Sequence, residues 1–150
     1  MALTLAALVS CVSQSPDPRG TFGHGTLVLK ADDGPVRLSV RIAASAEAQR
    51  QGLMGESTLP ESAGMAFVHD EPSSAPFWMK DTTIPLSVAF WNSHHVIVDM
   101  LDMSPCTSDP CPLYRSSSPY LGAVEVNRGF FERHGVRIGD AVELNTFGSL

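Results

Sequence analysis

Leu86-Ser87-Val88-Ala89-Phe90-Trp91-Asn92-Ser93-His94-His95-Val96-Ile97-Val98-Asp99-Met100-Leu101 reads as two apolar runs on either side of a polar turn. Side chains alternate along an extended chain, so Val88 and Phe90 share one face of the first run. Val96, Val98 and Met100 share a face of the second on the same rule. With Asn92-Ser93-His94 as a three-residue loop, the segment predicts a β-hairpin. Just upstream, Phe77-Trp78-Met79-Lys80 has the same period. As a strand it sends Phe77 and Met79 to a core and puts Trp78 and Lys80 together on the other face.

Further out, Thr26 to Lys30 and Val36 to Ile42 read as strands joined by an Asp32-Asp33-Gly34-Pro35 turn, with Val36, Leu38, Val40 and Ile42 on the inner face. Ser45 caps a short helix over 46–51 that Gly52 ends. Met65 to Val68 is a short strand, and Pro105 to Pro119 is an irregular proline-rich loop. Ala123 to Asn127 is a strand, followed by a helix over 128–134 with Asn127 as its cap, and Ala141 to Asn145 is the last strand. Many short strands, two short helices and no repeating β-α-β rhythm predict a mainly β sandwich or barrel.

The length of 150 residues suits one domain, and a net charge of -6 with only 10 scattered Lys and Arg disfavours nucleic acid as a partner. Residues 1–11 have the apolar, small-residue character of an export signal, and Leu8-Val9-Ser10-Cys11 has the form of a bacterial lipobox, which makes Cys11 a candidate for lipidation and membrane attachment. No Lys or Arg precedes this run. Residues 12–25 are rich in Ser, Pro and Gly, as a flexible linker is, and 26–150 form the single domain. Cys106 and Cys111 enclose only Thr-Ser-Asp-Pro, so a local disulfide is the natural pairing. It would stabilise the fold by about 2 kcal/mol through loop closure and imply an oxidising compartment. The alternatives are two free thiols in a cytosolic protein, or a zinc site that lacks two further ligands nearby. A redox role is weakened by the four intervening residues and the absence of a thioredoxin-like context.

Several motifs together resemble the DUF192 family of uncharacterised bacterial and archaeal domains. They are Arg50-Gln51-Gly52-Leu53-Met54, Gly64-Met65-Ala66-Phe67, Phe77-Trp78-Met79-Lys80-Asp81-Thr82 and Ile84-Pro85-Leu86, then Cys106, Asp109-Pro110-Cys111-Pro112, Tyr114, Glu125-Val126-Asn127 and Gly139-Asp140. The resemblance implies a small, jelly-roll-like β domain, often exported, with no agreed reaction. Asp81-Thr82 departs from the family pattern, as does Leu53-Met54-Gly55-Glu56.

The candidate binding site is Trp78 with Lys80, an aromatic face beside a cation that suits a carboxylate or phosphate. The competing reading makes Trp78 core and Lys80 structural, paired with Glu125 or Asn127 on a neighbouring strand. Arg50, Tyr114, Arg115 and Glu125 complete the candidate set; Arg50 also simply suits a helix C-terminus, and Arg115 with Tyr114 also suits a brace for the loop. No nucleophile with its base is evident, Ser116-Ser117-Ser118 lacks the Gly-x-Ser-x-Gly setting, and His94 with His95 diverge as ligands. The expectation is an extracytoplasmic, non-catalytic domain without metal or cofactor, binding a small or polymeric anionic ligand of the envelope. Its alternatives are an accessory protein-interaction module of the envelope and an enzyme of unknown type. The sequence leaves the oligomeric state open.

Overall fold

In the computed structural model, which describes residues 22–147, the hairpin forms with a longer connection than the sequence predicts. Strand β5 is Leu86–Trp91 and its partner β6 is Ile97–Met103. Asn92 organises the turn: its side-chain oxygen accepts from the N–H groups of His94 (2.9 Å) and Val96 (3.2 Å), and His95 takes the left-handed conformation at φ 58°. The register shifts between Phe90 and Trp91, because Trp91 faces Ile97 while Phe90 faces Asp99. That bulge overturns one expectation. Val98 and Met100 pack against different hydrophobic clusters, since an extra residue in a strand inverts the alternation beyond it.

The remaining elements are β1 (Gly23–Ala31), β2 (Gly34–Ala43), helix α1 (Ala46–Gln51), β3 (Ala63–Ser73), β4 (Phe77–Trp78), β7 (Leu113–Tyr114), β8 (Tyr120–Asn127), helix α2 (Phe130–Arg133) and β9 (Ala141–Phe147). The fold is mainly β with two short helices, as expected. Strand β1 includes Gly23, His24 and Gly25, so the end of the expected linker is strand. Residues 1–21, with the candidate signal and Cys11, lie outside the described residues.

Seven strands form one sheet in the order β6-β5-β8-β3-β2-β1-β9, and β4 with β7 form a small second one. All neighbours in the large sheet are antiparallel except β2 and β3, which run parallel through the α1 crossover. Such a crossover needs a covering helix, and the local sequence supplies one. The Ser45 hydroxyl accepts from the Ala48 N–H at 3.2 Å, Gly52 ends the helix at φ 45°, and the Gln49 amide donates to the Val68 carbonyl at 2.8 Å, tying the helix to β3.

The sheet curls without closing into a barrel. Its edge strands meet only at one corner, where the Val142 N–H donates to the His95 carbonyl (2.8 Å) and the Ile97 N–H to that of Asp140 (2.9 Å). Its inner face holds one core, with Leu27, Leu29, Ile42, Trp91, Val124 and Val126, and with Phe130 and Phe131 of α2. The opposite face of β3, β5 and β8 carries a second core beneath α1 and β4, with Met65, Phe67, Phe77, Met79, Phe90 and Met103. Covered on both sides, every residue of β5 is buried.

Helix α2 is shorter than predicted and is not capped by Asn127. It begins after Gly129, which is left-handed at φ 78°, while the Asn127 amide donates instead to the Leu59 carbonyl at 2.8 Å. The proline-rich loop carries the Cys106–Cys111 disulfide at an S–S distance of 2.09 Å. Cys106 also accepts the Asp81 N–H on its carbonyl at 2.9 Å, which fastens the loop to the segment after β4. Replacing both cysteines by serine is expected to lower stability by about 2 kcal/mol in urea unfolding. No measurable loss would mean that the backbone bonds around Cys106 hold the loop unaided.

Candidate functional site

Glu125 lies near the middle of β8, between Val124 and Val126, which point into the inner core. Alternation turns Glu125 to the opposite face, where its cross-strand neighbours are Met65 on β3 and Val88 on β5. Both are buried and apolar. Glu125 is 4% exposed, and among the described residues nothing forms a hydrogen bond or ion pair with its carboxyl group. Burial alone pushes the carboxyl up to about 8, so the group is mostly neutral at pH 7.

Glu125 lines a cleft of about 230 Å³ between α1, β3, β4 and β8. Aromatic rings wall it. Phe67 and Phe77 meet edge to face at 4.9 Å between centroids, and His69 lies against Tyr120 at 5.4 Å. The Tyr120 hydroxyl donates to the Ala75 carbonyl at 2.8 Å, while burial raises its own titration. Desolvation holds His69 below its ordinary value, against the pull of Asp70, so the ring is neutral at pH 7. Arg50 and Trp78 also line the cleft. Trp78 is 43% exposed, and Arg50, exposed in the last turn of α1, makes no ion pair among the described residues.

Of the residues singled out in the sequence, Arg50, Trp78 and Glu125 come together here. The alternation over 77–80 is as read, because Phe77 and Met79 are buried while Trp78 is exposed. Lys80 is not part of the cleft lining; its ammonium pairs with the Asp109 carboxylate in the disulfide loop, not with Glu125 or Asn127. The reason is local: Asp81 is left-handed at φ 52°, and Lys80 forms an isolated bridge with Cys106. The Asp109 hydrogen bond, more than its charge alone, raises the titration of the lysine. The Tyr114 hydroxyl accepts from the Ser104 N–H at 3.0 Å, and Arg115 is exposed; neither lines the cleft. His69, Thr82 and Tyr120 were not anticipated. Extending the Met65 strand by one residue puts His69 on the same face as Phe67, a signal that was present. Among the described residues, no cluster of three or more His, Cys, Asp or Glu is arranged to hold a metal ion.

These elements define a small, mainly β domain with one β-α-β crossover and a cleft lined by aromatic rings around a buried acid. The chain belongs to the DUF192 family, described as "Uncharacterized ACR", whose profile matches residues 27–144. A crystal structure from Sinorhizobium meliloti 1021, described as that of a candidate transcription regulator, is 27% identical, with a TM-score of 0.76 over 82% of this chain and 95% of that one. A protein of unknown function from Novosphingobium aromaticivorans DSM 12444 shares the fold at 23% identity, with a TM-score of 0.78 over 93% of this chain and 99% of that one. No curated protein matches the chain.

Proposed function

We propose that the chain is an extracytoplasmic, non-catalytic binding domain whose cleft takes a small ligand carrying an anionic group. Arg50 holds that group and the Trp78 ring is the stacking face. The observation that carries this reading is the guanidinium of Arg50, without an ion-pair partner among the described residues, lining the same cleft as the exposed indole. Lys80 is occupied by Asp109, so the anchoring role passes to Arg50. The compartment rests on the Cys106–Cys111 disulfide, which persists where the surroundings are oxidising, and lipidation of Cys11 is the attachment that goes with it. The likeness to a candidate transcription regulator does not draw the reading toward DNA, because a net charge of -6 opposes phosphate contacts.

Calorimetric titration with butyrate and with inorganic phosphate tests the site. At least one of the two is expected to bind, and both Arg50→Ala and Trp78→Ala are expected to weaken it at least ~10-fold, as loss of a charge-assisted bond or a stacking ring does. Lys80→Ala is expected to leave the affinity within about twofold, since exposed ion pairs couple weakly to a separate site. Equal losses in the Lys80 and Arg50 variants, or no binding by either probe, would overturn the assignment.

A further inference from the structure

We propose that the ligand is a zwitterion, with its ammonium group docking on the Glu125 carboxylate at the aromatic-lined base of the cleft and its anionic end held by Arg50. This rests on the reading of the cleft as a ligand site and adds the second half of the recognition. Glu125 is the residue that needs a partner. It is 96% buried by its 4% exposure, lines the cleft, and no described residue donates to it or neutralises it. Among the described residues no wholly buried side-chain oxygen lacks a partner, so the unpaired Glu125 carboxyl opens onto the cleft, where a ligand donor can reach it.

The surroundings select the charge of that donor. Phe67, Phe77 and Tyr120 line the same cleft, and aromatic faces attract cations. Once ionised, a carboxylate among rings complements an ammonium group and repels a carboxylate or phosphate of the ligand, which is directed to Arg50. A cation and an acid that can ionise, lining one cleft of about 230 Å³, fit opposite charges on one small molecule.

Docking has a proton cost that can be measured. The titratable and charged groups facing the cleft are Arg50 of α1, His69 of β3 and Tyr120 of β8; β4 contributes Phe77 and Trp78, and β5 places Val88 beside Glu125, none of which titrates. His69 titrates below its ordinary 6.5 and Tyr120 above 10, so between pH 7 and pH 9 Glu125 is the group that changes. In the free protein its carboxyl holds a proton to about 8, and an ammonium group binds the ionised form. Binding is then expected to release about 0.9 proton at pH 7 and about 0.1 at pH 9, and to tighten about tenfold across that range.

The experiment titrates ω-amino acids from glycine to 6-aminohexanoate into the intact domain by calorimetry, in buffers of different ionisation enthalpy, beside fatty acids of matching length. At least one amino acid is expected to bind at least ~10-fold tighter than its fatty-acid counterpart, with the proton release above. Glu125→Gln keeps the shape of the neutral acid; it is expected to abolish both the advantage and the proton release while leaving the fatty acid bound through Arg50. A series in which no amino acid exceeds its counterpart overturns the ammonium assignment and leaves the Arg50 site standing. Tight binding that survives Glu125→Gln, or that releases no proton at pH 7, overturns it as well.

Discussion

Raising the pH from about 5 to about 9 is expected to remove roughly 3–5 kcal/mol of folding stability through Glu125 alone, at about 1.4 kcal/mol per pH unit. An unfolded chain releases this proton near the ordinary value of 4.5, whereas the folded protein keeps it to about 8. Between those values the folded state binds one proton more than the unfolded state, so each rise in pH favours unfolding. Below 4.5 both states are protonated and above 8 both are ionised, and the profile levels off on either side. His69 acts in the opposite sense and lower down: its depressed titration costs stability only as the pH falls through 6.5 and below. The window from pH 6.5 to 8 therefore reports Glu125 with little interference. Urea midpoints in the wild type should fall across it, while Glu125→Gln should show no such slope and be the more stable protein at pH 9. A flat wild-type profile there would rule out a buried neutral acid.

Substituting Gly122 by alanine is expected to cost more than about 3 kcal/mol, in the range where overpacking forces the backbone or a large ring to move. A methyl group at this position would lie 2.2 and 2.4 Å from two atoms of the Trp91 indole and 2.9 Å from the Phe67 carbonyl oxygen. Trp91 sits directly across from Gly122 in the β5–β8 pair and is itself packed in the inner core, so a large ring would have to shift to admit the methyl group. The clash identifies its own rescue. Trp91→Leu is destabilising alone, yet combined with Gly122→Ala it should recover part of the loss, with a coupling of more than about 1 kcal/mol. Thermal unfolding of the four proteins of the cycle measures it, and strict additivity would mean that the indole is not the obstacle.

The two predictions concern adjoining parts of β8, and they differ in how far the sequence announces them. Gly122 precedes Ala123-Val124, and glycine at the start of an apolar strand signals a close approach without naming its neighbour. Glu125 was legible as lying opposite Val124 and Val126, and that placement holds. Its surroundings are not polar. At Glu125 that side is apolar around it, because α1 and β4 cover the sheet there and bring Phe67 and Phe77 over it.

Lys80 teaches the same lesson with the sign reversed. Its strand face was readable from the alternation with Phe77 and Met79, but its partner Asp109 stands 29 residues further on, inside a loop that no periodicity describes. The resemblance to DUF192 brought Arg50, Trp78 and Glu125 into view as separate motifs, without their meeting in one cleft.

By itself, then, the sequence determined the local elements: the cap at Ser45, the stop at Gly52, the alternation in β2 and β8, the Cys106–Cys111 pairing and the family. These depend on neighbours within a few residues, which backbone geometry and short-loop closure dictate directly. Only the tertiary structure decided which faces are covered, that β2 and β3 run parallel beneath α1, and that Glu125 is a buried acid in an aromatic cleft. Period assigns a residue to a face. What lies over that face is set by chain brought from elsewhere, and for Glu125 that covering is what turns an ordinary surface carboxylate into one that keeps its proton.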